Sequence, residues 1–458
     1  MQKQSGLLAL LFIAAAFSSC KKSQPDLVSN LASDTTHGTS SAAQIKDSAL
    51  LLSRDVYLWD NQIPASFNAQ NYADPAAIMK AIQPFSIEPG FTQAVDRWSF
   101  AMKKTEWNQM AGGMSTLSSS ASANGDFGLS VFFRAEGDLR VRLVEPASPA
   151  GRAGIKRGWR ILSVNGNSSI TTSNASMIVS AVYESDNTSF SFQKPDGTVQ
   201  NLSLQAGHYT EKPVYLDTVY TAGSRKVGYL VFNSFLGNTA NIASEFQRVF
   251  SKFSAAGVSK LIVDLRYNGG GYVSVAEQLA NYLVVPSANG GTMMTQQYNS
   301  RNSQSNEVTM FHKTGSLNIP DVYFIVGRGT ASASELLINN LKPYMDVKLV
   351  GASATHGKPV GFFPLAVGDW YVFPVSFRTI NKNGEGNYFN GLPVNAQVAD
   401  GLDKDWGDIT ETSLSYILTN ISSGAFRTAT YNEPATVVNG NNLLNETSLK
   451  VTIGTRKP

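Results

Sequence analysis

The chain has 458 residues, a hydrophobic share of 42% and a net charge of only +3, spread without basic runs. That length and composition allow about two to four domains with sizeable cores, and the weak, dispersed charge gives nothing for a nucleic acid to bind. A single cysteine excludes an intrachain disulfide, and with no H-E-x-x-H motif a zinc hydrolase has little support, so neither a metal nor another cofactor is expected.

Met1 to Cys20 has one early lysine, Lys3, an apolar run from Leu7 to Phe17, and then Ser18-Ser19-Cys20. The run is too short to cross a membrane, and residues 1–20 read as an export signal. Cys20 fits the lipid-modified cysteine that follows signal cleavage in bacterial lipoproteins, although Phe17 departs from the leucine usual three places before it, and ordinary cleavage nearby is the alternative. The expectation is a bacterial cell-envelope protein, anchored to the membrane by an N-terminal lipid and facing the periplasm or the cell surface. Residues 21–42, rich in Ser, Thr and Asp, read as a flexible tether.

Residues 43–108 read as a small, largely helical N-terminal domain. Ile45, Ala49, Leu52, Val56 and Trp59 share one face of a 3.6-residue period, a second short helix is expected around Pro75 to Ile82, and the tryptophans read as core. The low-complexity Gly112 to Gly125 stretch reads as a loop. Phe127-Gly128-Leu129-Ser130 then enters a strand, and Ser148-Pro149-Ala150-Gly151-Arg152-Ala153-Gly154-Ile155-Lys156-Arg157-Gly158-Trp159 leads into Ile161-Leu162-Ser163-Val164-Asn165-Gly166. Residues 109–208 thereby resemble a PDZ domain. The resemblance implies that N–H groups of Phe127, Gly128, Leu129 and Ser130 receive a peptide's terminal carboxylate, with the adjacent strand edge and a helix near Asn174 to Tyr183 as walls. A PDZ fold serving only as a spacer is the other reading. A hairpin turned by Pro195-Asp196-Gly197 closes the domain.

From Val214 strands and helices alternate, which argues for an α/β core over residues 209–420. Val227 to Phe232 and Leu261 to Leu265 read as strands, Ile242, Phe246, Val249 and Phe253 as one helical face, and Val273 to Leu283 as a helix; Phe373 to Phe377 reads as a late strand and Thr410 to Leu418 as the closing helix. The Gly269-Gly270-Gly271 triplet lacks both the G-x-G-x-x-G and the P-loop spacing, so it reads as a turn whose N–H groups can approach a carbonyl closely, with Asn268 bracing it and Asp264 and Arg266 holding the loop. Residues 421–458 are polar and carry no functional signal.

Gly329-Thr330-Ala331-Ser332-Ala333-Ser334-Glu335 follows the apolar strand Val322 to Val326, and Gly-Lys at 357–358 follows another, Val347 to Val350. Ser332 with Glu335 fits a capping box, so the serine either merely caps a helix or sits beside free N–H groups as a nucleophile. These motifs, with Asp264-Leu265-Arg266-Tyr267-Asn268-Gly269-Gly270-Gly271, resemble the tail-specific, or C-terminal processing, serine peptidases over most of residues 43–418. The resemblance implies a mixed α/β, crotonase/ClpP-like peptidase core with an inserted or preceding PDZ domain. It also implies Ser332 as nucleophile, Lys358 as base, and the N–H groups of Gly270 and Ala333 as oxyanion donors, acting on protein or peptide substrates presented through their C-terminus. Lys358 can serve only if neutral, with its pKa lowered from about 10.4 toward about 7 to 8. His356 is a rival base, with Asp346 as its candidate orienting carboxylate. Phe362 stands where the family often has Gln or Glu. A binding protein that holds peptides without cutting them is the reading from another class.

Overall fold

A computed structural model describes residues 41–111, 125–432, 437–441 and 444. The expected signal, Cys20, nearly all of the tether, residues 112–124 of the glycine-serine loop and most of the stretch after 432 lie outside these residues.

The N-terminal region comprises α1 (Ala42–Val56), α2 (Pro75–Ile82), β1 (Phe100–Lys103) and α3 (Lys104–Ala111). Ser41 and Gln44 close a capping box ahead of α1, and Asp74 caps α2 with Pro75 in its first turn, where a missing N–H costs nothing. The apolar face formed by Ala49, Val56, Trp59, Ile78, Met79 and Ile82 packs with Val360, Phe362, Val372, Phe373 and Phe389 from far along the chain. The expected helices of residues 43–108 are therefore present as α1 and α2, but this region shares its core with residues 360–389 instead of forming a domain by itself.

The second unit comprises β2 (Leu129–Ala135), β3 (Asp138–Val144), α4 (Pro149–Arg152), β4 (Arg160–Val164), α5 (Ala175–Tyr183), β5 (Asn187–Gln193) and β6 (Val199–Gln205). Its strands form an antiparallel sheet in the order β2-β3-β4-β5-β6, with β2 at one edge. The β5–β6 turn is the expected one, with Gly197 at φ +86° and a bond from Lys194 N–H to Thr198 O of 2.9 Å.

The remaining elements are β7 (Val214–Ala222), β8 (Arg225–Phe232), α6 (Thr239–Ala255), β9 (Lys260–Asp264), α7 (Val273–Leu283), β10 (Thr292–Tyr298), β11 (Glu307–Met310), β12 (Asp321–Ile325), α8 (Ala333–Leu341) and β13 (Asp346–Gly351). After them come β14 (Val360–Gly361), β15 (Leu365–Val367), β16 (Trp370–Phe373), β17 (Phe377–Ile380), β18 (Ala396–Gln397) and α9 (Thr412–Ser423). The central sheet runs β18-β13-β12-β9-β8-β7, parallel except for the edge strand β7. Successive residues alternate between its two covered faces. Leu230, Phe232, Leu261, Val263, Val322 and Phe324 pack with α6, α7 and α8, while Tyr229, Val231, Ile262, Tyr323 and Ile325 pack with α9. Because β9, β12 and β13 are parallel neighbours, the loops leaving them emerge at one edge of the sheet, as loops do where α/β sheets place their sites.

The strand expected over Phe373 to Phe377 is two strands. β16 pairs with β1 and β15, β17 pairs with β10 and β14, and Pro374 between them has no N–H to continue either ladder.

A buried ionic network ties the β2–β6 sheet to the central sheet. Arg266 Nη2 lies 2.6 Å from Asp264 Oδ2, and its Nη1 lies 2.7 Å from Glu411 Oε1 and 2.9 Å from Asp400 Oδ1. Arg157, from the PDZ side, reaches Asp400 Oδ1 at 2.7 Å and donates to the Tyr267 hydroxyl at 2.8 Å, with Trp406 beneath its guanidinium. Burial works against every charge here, yet Arg157 and Arg266 hold Asp400 below its ordinary pKa and Arg266 does the same for Glu411.

Candidate active site

Ser332 sits between the loop after β12 and the first turn of α8, at φ +54° and ψ −115°. That conformation is rare for a residue with a Cβ and costs about 1–3 kcal/mol, so its surroundings must impose it. Three bonds and one contact do so. Ala331 N–H donates to Asn268 O at 3.1 Å, Ser334 Oγ to the same carbonyl at 2.9 Å, and Ser332 N–H to Glu335 Oε2 at 2.9 Å. Gly270 presses on the turn so closely that a Cβ there would lie 2.8 Å from Ala331 O and 2.9 Å from Ser332 Cβ. Ser332 and Glu335 are thus arranged as a capping box at the start of α8.

The two expected oxyanion donors differ. Ala333 N–H, the first of α8, donates to no group among the described residues, and the helix dipole adds to its positive potential. Gly270 N–H is instead turned onto Asn268 Oδ1 at 2.9 Å, while Asn268 Nδ2 is held by Phe232 O at 2.9 Å. Asn268 braces the turn by taking that N–H. Gly270 must leave Asn268 before it can hold an oxyanion.

Lys358 is 2% exposed and borders the same small cavity as Ser332, together with Val273, Ala333, Phe377 and Tyr388. Its Nζ lies 4.1 Å from the centre of the Phe362 ring, so the position expected to hold Gln or Glu supplies an aromatic wall. Burial pushes Lys358 down to about 7, against the opposing pull of Asp96 and Glu335. A lysine lowered in this way reaches its neutral form far more readily near neutral pH than an exposed one.

Glu335 links the two. Its Oε1 accepts from Thr355 Oγ1 at 2.5 Å and Gly357 N–H at 2.7 Å, and its Oε2 from Lys358 N–H at 2.8 Å as well as from Ser332 N–H. One buried carboxylate thereby fixes the backbone of both the serine and the lysine. The Ser-x-x-Glu spacing signals the near half of this clamp; the far half arrives from 22 and 23 residues downstream and leaves no local trace. Burial pushes the Glu335 carboxyl above its ordinary value, and its four donors limit that rise.

His356 is placed for a different task. Its Nε2 accepts the indole N–H of Trp98 at 3.3 Å and its backbone N–H donates to Thr330 O at 2.9 Å. Burial, then the charges of Arg97 and Lys358, push it down to about 4. Asp346 lies exposed at the opposite end of β13 and pairs with Lys348, so no Ser-His-Asp arrangement forms around it. Trp98 and Asp96 are the groups that sequence reasoning missed. Both come from the N-terminal region, where tryptophans were expected only in a core. Asp96 accepts from Tyr57 OH, Ser99 Oγ and the N–H groups of Trp98 and Ser99.

In the PDZ unit, Phe127 and Leu129 are buried, Gly128 N–H donates to Asp126 Oδ1 at 2.6 Å, and Ser130 Oγ accepts from Arg142 Nε at 2.7 Å. The expected row of free N–H groups is thus interrupted at Gly128, whose φ of +67° and contact with Ser148 leave no room for a side chain. No group of residues suited to hold a metal ion occurs among the described residues.

Residues 226–392 match the model of peptidase family S41, and residues 140–186 that of the PDZ domain. The chain is 27% identical over 265 residues to the carboxy-terminal processing protease CtpB of Bacillus subtilis (strain 168), covering 56% of this chain and 52% of that protein. It therefore spans about half the length of such relatives. Among solved structures, a Bacteroides fragilis NCTC 9343 protein assigned to the S41 proteases superposes with a TM-score of 0.64 at 22% identity, covering 82% of this chain and 97% of the other. The photosystem II D1 C-terminal processing protease does so at 0.50 and 20%, covering 84% and 99%. At these identities the superpositions speak for the fold alone. Residues 226–392 thus lie in a mixed α/β core that matches the peptidase family S41 model, preceded by a segment that matches the PDZ model and by an N-terminal helical region.

Proposed function

We propose that this chain is a serine endopeptidase of the bacterial cell envelope that cuts proteins or peptides presented through their C-terminus to the PDZ domain. The observation that carries the reading is a strained serine at a helix start and a buried lysine lowered to about 7, lining one cavity and clamped by one carboxylate. Neutral Lys358 takes the hydroxyl proton as Ser332 Oγ attacks the scissile carbonyl, then returns it to the leaving amine. Water hydrolyses the acyl-enzyme by the same proton route, while Ala333 N–H, joined by Gly270 N–H once it leaves Asn268, holds the oxyanion.

A fluorophosphonate probe should label the wild type and not Ser332→Ala. Labelling that survives this substitution sinks the assignment, and absence of labelling and of casein cleavage in the wild type favours a peptide-binding protein instead. Amidating the C-terminus of a cleaved substrate should weaken turnover; equal turnover makes the PDZ unit a spacer. Lipid anchoring at Cys20 belongs to the same proposal. The mature protein should partition into detergent, and Cys20→Ser should release it or leave the signal uncleaved.

A further inference from the structure

A PDZ unit that takes peptides by strand addition needs a vacant sheet edge facing its helix. The edge strand here is β2, and α5 is the facing helix. On that edge Val131 N–H donates to the Tyr183 hydroxyl of α5 at 3.0 Å. One step further along, the Asn441 side-chain amide pairs with both backbone groups of Phe133: Phe133 N–H donates to Oδ1 at 2.7 Å, and Nδ2 donates to Phe133 O at 2.9 Å. An amide side chain thus makes the two bonds that an added strand would make. Val437, 1% exposed, and Leu444, 0% exposed, belong to the PDZ apolar cluster with Phe133, Ile178 and Val182, and Gly440 packs so closely on Thr172 that a Cβ would lie 2.9 Å from its Cβ.

The same stretch roofs a cavity of about 280 Å³ whose other walls include Phe132 and Arg134 on β2 and Arg328 and Gly329 of the loop leading to Ser332. It therefore stands over both the peptide edge and the space between that edge and the nucleophile loop. Residues 437–441 are helical, yet they include Asn439, Gly440 and Asn441, poor helix formers in a segment too short to be helical alone. The helix exists because of the surface under it.

We propose that residues 437–441, with Leu444, are an intramolecular ligand of the PDZ groove, a competitor that an incoming peptide C-terminus must displace before β2 can take it. The proposal rests on the reading of the PDZ unit as a peptide receptor. A tethered ligand competes at an effective concentration of about millimolar. Segments that bind weakly are therefore excluded, and only tails that out-compete this stretch reach the cleft.

The test locks and loosens the segment in the full chain. Thr172→Cys with Gly440→Cys places two Cβ atoms about 1 Å closer than a relaxed disulfide requires, a shift that a short surface segment can absorb. The disulfide should form on oxidation, and the oxidised form should cleave casein at less than about a tenth of the rate of the reduced form. Asn441→Ala, which removes both bonds to Phe133, should open the edge and speed cleavage by up to about tenfold. Failure of the disulfide to form, or equal rates in its two redox states, overturns the proposal. If no form cleaves casein, the peptidase reading fails on its own, and hydrogen exchange at the Phe133 amide decides this one. Exchange about tenfold faster in Asn441→Ala upholds it, and unchanged exchange overturns it.

Discussion

Arg266 and Arg157 at the PDZ junction are nearly as buried as Lys358 in the cleft, with exposures of 4% and 3% against 2% for the lysine. Their fates differ. Arg266 meets three carboxylates within 2.6–2.9 Å, so its charge is matched and held. The carboxylates that pull on Lys358, Asp96 and Glu335, already accept four hydrogen bonds each from other groups. Desolvation then wins, and the lysine drops to about 7. Where desolvation outweighs the nearby carboxylates the cation is lowered, and where three carboxylates meet one guanidinium the charge is held.

The strongest way to break this comparison is on activity. Ser332→Ala and Lys358→Ala should each lower peptidase kcat/KM by about a thousandfold or more, and the double variant should fall little further, because two residues acting as one unit are not additive. Next comes stability. Arg266→Met removes one side of a matched cluster, strands Asp264 and Glu411, and should destabilise the protein by about 3–5 kcal/mol in urea unfolding. Lys358→Met should do the reverse, stabilising on the order of 2–4 kcal/mol while remaining inactive. The folded pKa of Lys358 lies below the unfolded one, so the lysine's cost is full below pH 7 and disappears as pH rises toward about 10.4. The gain in Lys358→Met should fade over that window; a gain independent of pH would refute the neutral lysine.

A smaller effect sharpens the role of the neighbours. The wild-type rate should rise with pH through about 7 as Lys358 loses its proton. Asp96 favours the charged lysine, so Asp96→Asn should move that limb to lower pH, and a shift upward would contradict the assignment. Smallest of all, His356→Gln should retain most activity, because the Trp98 indole N–H occupies its Nε2 and a ring lowered to about 4 is a weak base. Abolished activity in a folded His356→Gln protein would hand the base role to histidine.

Much of the frame was readable in the residues. Val273–Leu283 is helical over the expected span, the face of Ile242, Phe246, Val249 and Phe253 is buried as its period implies, and the apolar runs at 261–265, 322–326 and 347–350 are the parallel neighbours β9, β12 and β13. These features depend on local period and on glycine spacing. What stayed hidden depends on distance along the chain. Nothing near Trp98 announces that its indole will meet His356, 258 residues away, or that α1 and α2 will share a core with Phe362 and Phe373. Likewise the polar stretch after 432 gives no sign that Val437 and Leu444 complete the PDZ cluster. The side-chain bond of Asn268 to Gly270 is local, but Asn-x-Gly does not say which N–H the asparagine will take.

The pairing of β1 with β16, and the packing of Trp98 and Phe91 on Phe389, also fix the order of events in biosynthesis. A chain emerging from its N-terminus releases Ser332 and Lys358 before Phe377 and Tyr388, so part of the wall of the cavity they share is still missing when both side chains are already out. Until that late segment folds back, Lys358 lies open to water, where a lysine keeps its proton near neutral pH. The proposed Ser332–Lys358 pair would therefore form only when a long-range contact, a slow event by its sequence separation, has closed.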